Sequence, residues 1–273
     1  MLVDKKSITS IAIGGFDGMH MAHQTLFANL TKNGAIVVIE TGYANLTPKT
    51  KREAFTSYPI YYYDLQSIKH LQGKEFMALL NEEFPNMRKI VVGFDFCFGA
   101  NRTHCISELK ELFHGEVVVI NEVCINNIPV HSRIIREYIV KGDFLTANTL
   151  LGRKYTIDGV QVKGQGLGSK SFVPTINLKV EDYLLPNEGV YATKTIVEKQ
   201  SYESITFLGH RVTTDGSFAI ETHILDKNLT NHRKEVQIKF FEKIRDNQKF
   251  DSFEDLKLQI DQDIIDVKNY FQK

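Results

Sequence analysis

The stretch Gly14-Gly15-Phe16-Asp17-Gly18-Met19-His20-Met21-Ala22-His23-Gln24 holds residue types suited to handling phosphate. It follows an apolar run, Ile8 to Ile13, that reads as a short buried strand. It leads into Thr25 to Leu30, which reads as the first turns of an amphipathic helix. A glycine-rich turn between strand and helix leaves backbone N–H groups open to an anion, and glycine lets a phosphate approach the backbone closely. His20 and His23, three residues apart, fall on one face of the helix start, and a neutral imidazole can donate an N–H bond to a phosphate oxygen. Two other readings of the pair stay open. Histidines at this spacing can share zinc, although no Cys pair or acidic partner stands at a suitable local spacing. Either one could also be a plain surface residue.

Further clusters follow along the chain. Val91 to Gly99 ends an apolar run in an aromatic turn, with Asp95 as its polar residue and Phe96 and Phe98 as flat rings. His131-Ser132-Arg133-Ile134-Ile135-Arg136 opens a helical pattern with a hydroxyl and a guanidinium. Gly164, Gly166 and Gly168 form a glycine loop between Lys163 and Lys170, followed by Phe172-Val173-Pro174-Thr175-Ile176-Asn177-Leu178. Taken singly, such a loop is a turn, and Thr175 and Asn177 are turn residues. Glu221 and His223 alternate onto one face of a strand-like run.

The elements that must hold these residues change character midway. The first half alternates strand runs (Ala35–Ile39, Ile60–Tyr63, Ile90–Val92, Val117–Ile120) with helical patterns such as Lys74–Phe84 and Ser107–Phe113. That alternation predicts a parallel sheet covered by helices, with the Gly14 turn at a carboxyl strand end, where open sheets bind ligands. Two helical stretches break at Lys141-Gly142-Asp143, which places a domain boundary between 142 and 143. The second half carries short β-rich runs with turn signals between them, predicting an antiparallel barrel or sandwich. A closing helix, Ser252 to Phe271, has a capping-box-like start and an apolar stripe through Phe253, Leu256, Ile260, Ile264, Val267 and Phe271.

Composition adds bounds. The chain has 273 residues, 42% hydrophobic and 24% charged, enough for one large or two ordinary domains. Lys+Arg and Asp+Glu both number 33, so charge points to no nucleic acid, and no apolar run is long enough to span a membrane. The N-terminus lacks a signal-peptide core, and three cysteines without CxxC spacing argue for a cytoplasmic protein with reduced thiols.

Together, and in this order, the motifs resemble those of bacterial bifunctional riboflavin kinase/FAD synthetases. Gly-x-Phe-Asp-Gly-x-His-x-x-His-Gln resembles the adenylyltransferase signature, and Gly93 to Gly99 a second motif of that half. Ser132 and Arg136 match a third. The Pro174-Thr175-Ile176-Asn177 segment resembles the kinase signature, and Gly189-Val190-Tyr191, Gly209 to Thr213, Glu221-Thr222-His223 and Ile244 to Phe250 follow in the expected order. The resemblance implies an α/β nucleotidyltransferase-like (Rossmann-like) domain over 1–142, then an antiparallel β-barrel kinase domain with a C-terminal helix over 143–273. It implies riboflavin phosphorylation to FMN and FMN adenylylation to FAD. It places His20, His23 and Glu221 as catalytic. Gly14, Gly15, Phe16, Asp17, Asp95, Ser132, Arg136, Gly164, Gly166, Gly168, Lys170, Thr175 and Asn177 would bind nucleotide, with Thr175 and Asn177 also on Mg2+. Phe96, Phe98, Arg211, Arg245 and Phe250 would bind flavin. The partners implied are small molecules (riboflavin, FMN, ATP), with the chain a monomer or weak homo-oligomer. This chain departs from the family pattern at Ala22, His131, Arg133, Leu167, Ser169, Phe172 and Asn247, the last standing where the family has Glu, and over Glu40 to Pro48. An enzyme with one of the two activities, or a flavin-binding regulator without catalysis, remains the alternative.

Overall fold

The computed structural model describes residues 3–163, 173–213, 216–227 and 235–272. The chain divides into two compact units, Met1–Ile134 and Ile135–Lys273. The division falls inside a helix, ahead of the 142/143 position expected from the Lys141-Gly142-Asp143 break.

The first unit is built on a parallel sheet of β1 (Ser10–Gly14), β2 (Gly34–Glu40), β3 (Ile60–Asp64), β4 (Lys89–Gly93) and β5 (Glu116–Ile120), in the order β3-β2-β1-β4-β5. The central strands read as unbroken apolar runs because both their faces are covered. Ile11, Ile13, Val37, Ile90 and Val92 face one layer, which includes Phe76 and Leu80 of helix α3 (Gly73–Glu83) and Leu109 of α4 (Ile106–Leu112). The alternate residues Ala12, Ile36, Val38 and Val91 face Leu26 and Phe27 of α1 (Met21–Phe27). A short helix α2 (Leu65–Ile68) and a hairpin of β6 (Cys124–Ile125) and β7 (Ile128–Pro129) complete the unit. β1 pairs with both β2 and β4, so chain order reverses there. Ligands bind outside the carboxyl strand ends at such a reversal, and the Gly14 turn and the Gly93 loop both leave from that point.

Helix α5 (Ser132–Lys141) spans the division, and α6 (Phe144–Leu151) follows. A closed barrel then forms from β8 (Thr156–Val162), β9 (Ile176–Lys179), β10 (Gly189–Val197), β11 (Gln200–His210), β12 (Phe218–Ile224) and β13 (Val236–Asp246). Closure settles the choice between barrel and sandwich. Its core joins Phe144, Tyr155, Tyr191 and Phe240 to a buried hydroxyl network of Thr193, Thr195, Ser204, Thr206 and Thr222, each within 3.0 Å of another. Helix α7 (Phe253–Gln272) packs Ile264, Val267 and Phe271 against β10 and β11 residues, and the Ser252 hydroxyl accepts from the Asp255 N–H at its start. Phe253, at the start of the apolar stripe, is exposed.

Two expectations are corrected. Helix α1 runs from Met21 to Phe27, starting earlier than the Thr25–Leu30 reading, because His20 is extended and Gln24 N–H already bonds to the His20 carbonyl. Cys97 and Cys105 form a disulfide rather than staying reduced; Cys124 is free and exposed. Their loop folds back through the Phe98–His104 bridge, which brings residues 97 and 105 together across a spacing that no short motif marks.

Candidate functional site

At the carboxyl end of β1 the backbone makes a tight turn, with positive φ at Phe16 (47°), Gly18 (84°) and Met19 (44°). Burial of Phe16 and Met19 holds two non-glycine residues in that conformation. The two leading glycines have different reasons. A Cβ on Gly14 would sit 3.1 Å from the Phe16 ring, whereas one on Gly15 would meet nothing closer than 3.9 Å. The bare face of Gly15 is exposed, and its backbone is open to a ligand. His20 and His23 stack with ring centroids 3.5 Å apart and 19° between planes, and Phe16 abuts His23 edge-on at 5.1 Å. His20 is 3% exposed and His23 half-buried, so His23 is the more accessible ring.

Other motif residues build this turn. The buried Asp17 carboxylate accepts from the backbone N–H groups of Asn45 (3.2 Å), Leu46 (3.0 Å) and Thr47 (2.9 Å), latching down the segment that departs from the family pattern. Ser132 Oγ donates to the Asp17 carbonyl at 2.8 Å, which ties the start of α5 to the turn. Gln24 Nε2 donates to the Met19 carbonyl at 3.0 Å. Arg52, fully buried, pairs with Glu40 at the end of β2. Arg136 lies one turn after Ser132 on α5, within the second unit.

In the Gly93 loop, Asp95 is exposed and Phe96 half-buried, stacked on Phe98 at 5.7 Å. Phe98, at 6% exposure, packs against Phe76 and the His104 ring, so it is core rather than an open face for a flavin. Phe94, 43% exposed and 6.3 Å from the His131 ring, is the aromatic that sequence reasoning passed over. Its only sequence signal is its place directly after the strand-ending Gly93.

The second unit gathers its polar residues around Arg211. This guanidinium donates to Glu221 Oε1 from Nε (3.0 Å) and Nη2 (2.6 Å), to Asn177 Oδ1 (2.9 Å) and to Ser217 Oγ (2.7 Å). Glu221 and Asn177 face each other because β12 pairs with β9 at that register. Thr175 precedes β9, and His223 Nδ1 donates to the neighbouring Pro174 carbonyl at 2.8 Å. A carboxylate and a hydroxyl from the β12 segment and an amide from β9 thus surround one guanidinium.

A bifunctional riboflavin kinase/FMN adenylyltransferase of Buchnera aphidicola (subspecies Acyrthosiphon pisum) is 30% identical over 96% of this chain and 93% of its own. The chain belongs to the bifunctional riboflavin kinase/FMN adenylyltransferase family. The riboflavin kinase family model (Flavokinase) matches residues 151–271, which contain the whole barrel. The Listeria monocytogenes member is 26% identical over 96% of this chain and 92% of its own. A solved structure named as a macrolide-efflux protein from Streptococcus pneumoniae has a TM-score of 0.83 at 29% identity, covering 96% of this chain and 94% of its own. Among the described residues no helix is long and apolar enough to cross a membrane.

Two residues expected at the flavin are tied into the protein. Arg245 forms a forked pair with Asp263 of α7, from Nε (2.8 Å) and Nη2 (2.7 Å), and lies 5.7 Å from the Phe250 ring. Asp263 is 2% exposed and carried no motif signal. Phe250 is half-buried and its N–H donates to Thr213 Oγ1 at 3.2 Å. The Gly164, Gly166, Gly168 and Lys170 positions lie outside the described residues. Among the described residues no three His, Cys, Asp or Glu side chains cluster to hold a metal. Thr175 and Asn177 offer a hydroxyl and an amide oxygen, a donor set suited to Mg2+ that keeps phosphate and water as its remaining ligands.

Proposed function

We infer that the barrel phosphorylates riboflavin with MgATP to give FMN and ADP, and that the α/β unit transfers AMP from ATP to FMN, giving FAD and pyrophosphate. The carrying observation is the Glu221–Arg211–Asn177 cluster, which sets a carboxylate beside an oxygen donor for a metal nucleotide. In the first reaction Glu221 accepts the 5′-hydroxyl proton of riboflavin as that oxygen attacks the γ-phosphorus. Arg211 Nε and Nη2 both donate to Glu221 Oε1, and in this reading Oε2 takes the hydroxyl proton. Thr175 and Asn177 would hold Mg2+ arriving with ATP, and the ion neutralises phosphate charge there. The glycine loop and Lys170 would cradle those phosphates.

In the second reaction no protein nucleophile is needed, since an FMN phosphate oxygen attacks the α-phosphorus of ATP. Protein groups align the two and stabilise charge on the equatorial oxygens. The exposed backbone at Gly15 admits the phosphates, and the stacked His20 and His23 supply the N–H donors. Phe94 and Phe96 flank the flavin approach in this reading. Asp17 and Ser132 act by shaping the turn.

The test is chromatography of flavin products from the purified chain with MgATP and either riboflavin or FMN. His23→Ala should keep FMN formation and lose about 100-fold or more in FAD formation. Glu221→Gln should lose about 100-fold or more in FMN formation and still adenylylate supplied FMN. Equal loss of both activities in either variant would overturn the assignment of separate sites.

A further inference from the structure

Asn247 lies beside the carboxylate of Glu188, and the two reactions above leave that contact without a role. Glu188 directly precedes β10 and Asn247 directly follows β13. Gly189 of β10 pairs with Leu208 of β11 and with Asp246 of β13, so Glu188, Gly209 and Asn247 meet just beyond the ends of those pairings. Glu188 Oε2 accepts from the His210 backbone N–H at 2.9 Å and from Asn247 Nδ2 at 2.8 Å, while His210 Nδ1 contacts Oε1 at 2.6 Å. Asn247 Nδ2 also donates to the His210 carbonyl at 2.9 Å. Gly209 makes the approach possible: its φ is +146°, and a Cβ there would lie 2.7 Å from Glu188 Oε2. Both backbone polar groups of His210 are therefore held by the 188/247 pair. The next residue is Arg211, whose guanidinium spans Glu221 and Asn177.

We propose that Glu188 is a positioning residue for the kinase reaction: from the edge of β10 its carboxylate fixes the backbone from which Arg211 aligns Glu221 with Asn177. Asn247 is the matching half of this contact. An amide donates to Glu188, whereas a second carboxylate at that distance would repel it. The inference rests on reading the barrel as a riboflavin kinase, and it adds a residue that contacts neither substrate.

The test uses the full chain, with FMN formation as readout and FAD formation from supplied FMN as the control within the same molecule. Glu188→Gln keeps the shape and removes the charge. It should lower kcat for FMN formation about tenfold to a hundredfold, with a smaller change in KM for ATP and unchanged FAD formation. The exchange variant Glu188→Gln with Asn247→Glu should return kcat to within about threefold of the parent, since the two sites are coupled. A purely structural role would restore melting temperature in the exchange variant without restoring kcat. If Glu188→Gln alone does not fold, Asn247→Glu alone replaces it, and the exchange variant must exceed that single variant about tenfold. A Glu188→Gln enzyme with parental kcat, or an exchange variant no better than its single parent, overturns the proposal. A parent chain that makes no FMN removes the kinase reading and this inference together; parental FMN formation with an indifferent Glu188 removes the inference alone.

Discussion

Asp17→Asn separates a residue that contacts nucleotide from one that shapes the loop. The Asp17 carboxylate accepts from three backbone amides, those of Asn45, Leu46 and Thr47, at 2.9 to 3.3 Å in a buried setting. Hydrogen bonds to an ionised acceptor contribute about 1 kcal/mol more each than neutral ones. Across three amides, removal of the charge therefore costs about 3 kcal/mol. The asparagine NH2 also turns a donor toward at least one of these donors, which raises the cost further. For a unit of this size, roughly 3 to 5 °C of melting temperature accompanies each kcal/mol, so the first unit should melt about 10 °C lower. The assay is differential scanning calorimetry, paired with FMN adenylylation measured below the transition. Turnover should fall because the segment through residue 47 loosens beside the turn, while KM for ATP moves little. An unchanged melting profile with a tenfold rise in KM for ATP would refute the latch and return Asp17 to direct nucleotide contact.

Two further outcomes follow from the barrel. Asp263→Ala leaves Arg245 without its forked partner, and breaking a buried pair costs about 3 kcal/mol or more; the barrel should melt lower with KM for riboflavin nearly unchanged, and a stable variant with weakened riboflavin binding would show that Arg245 belongs to the flavin instead. The Glu188 carboxyl is pushed down from 4.5 to about 2 by the His210 backbone N–H, then by the His210 side chain and the Asn247 amide. A depressed carboxyl contributes stability that is fully present above its unfolded value and is lost as pH falls through its folded value. The urea midpoint of the parent should therefore converge on that of Glu188→Gln as pH drops from about 5 to about 2, and a gap constant over that range would contradict the assignment.

The barrel was legible where strands carry long β-rich runs, as in Val190–Val197 and Val236–Phe241. It was less so at β9, four residues long and ordered by its pairing with β8 and β12. The cysteine pair was hidden for a related reason: the fold-back of residues 97 to 105 is a property of the loop, not of a spacing.

From the sequence by itself come the two kinds of layer, the glycine turn with its paired histidines and the order of the motifs, because periodicity and short-range spacing are local properties of the chain. Tertiary structure alone decides which motif residue is left to meet a ligand and which is spent on the protein. Asp17 reaches residues 45–47, Ser132 reaches the Asp17 carbonyl and Arg245 reaches Asp263. Arg211 finds Glu221 and Asn177 through β12–β9 register, and Glu188 meets Asn247 through strands that flank β10. Charged and hydroxyl groups take whatever partner the fold brings within about 3 Å, and that partner is set by strand pairing between segments far apart in the chain.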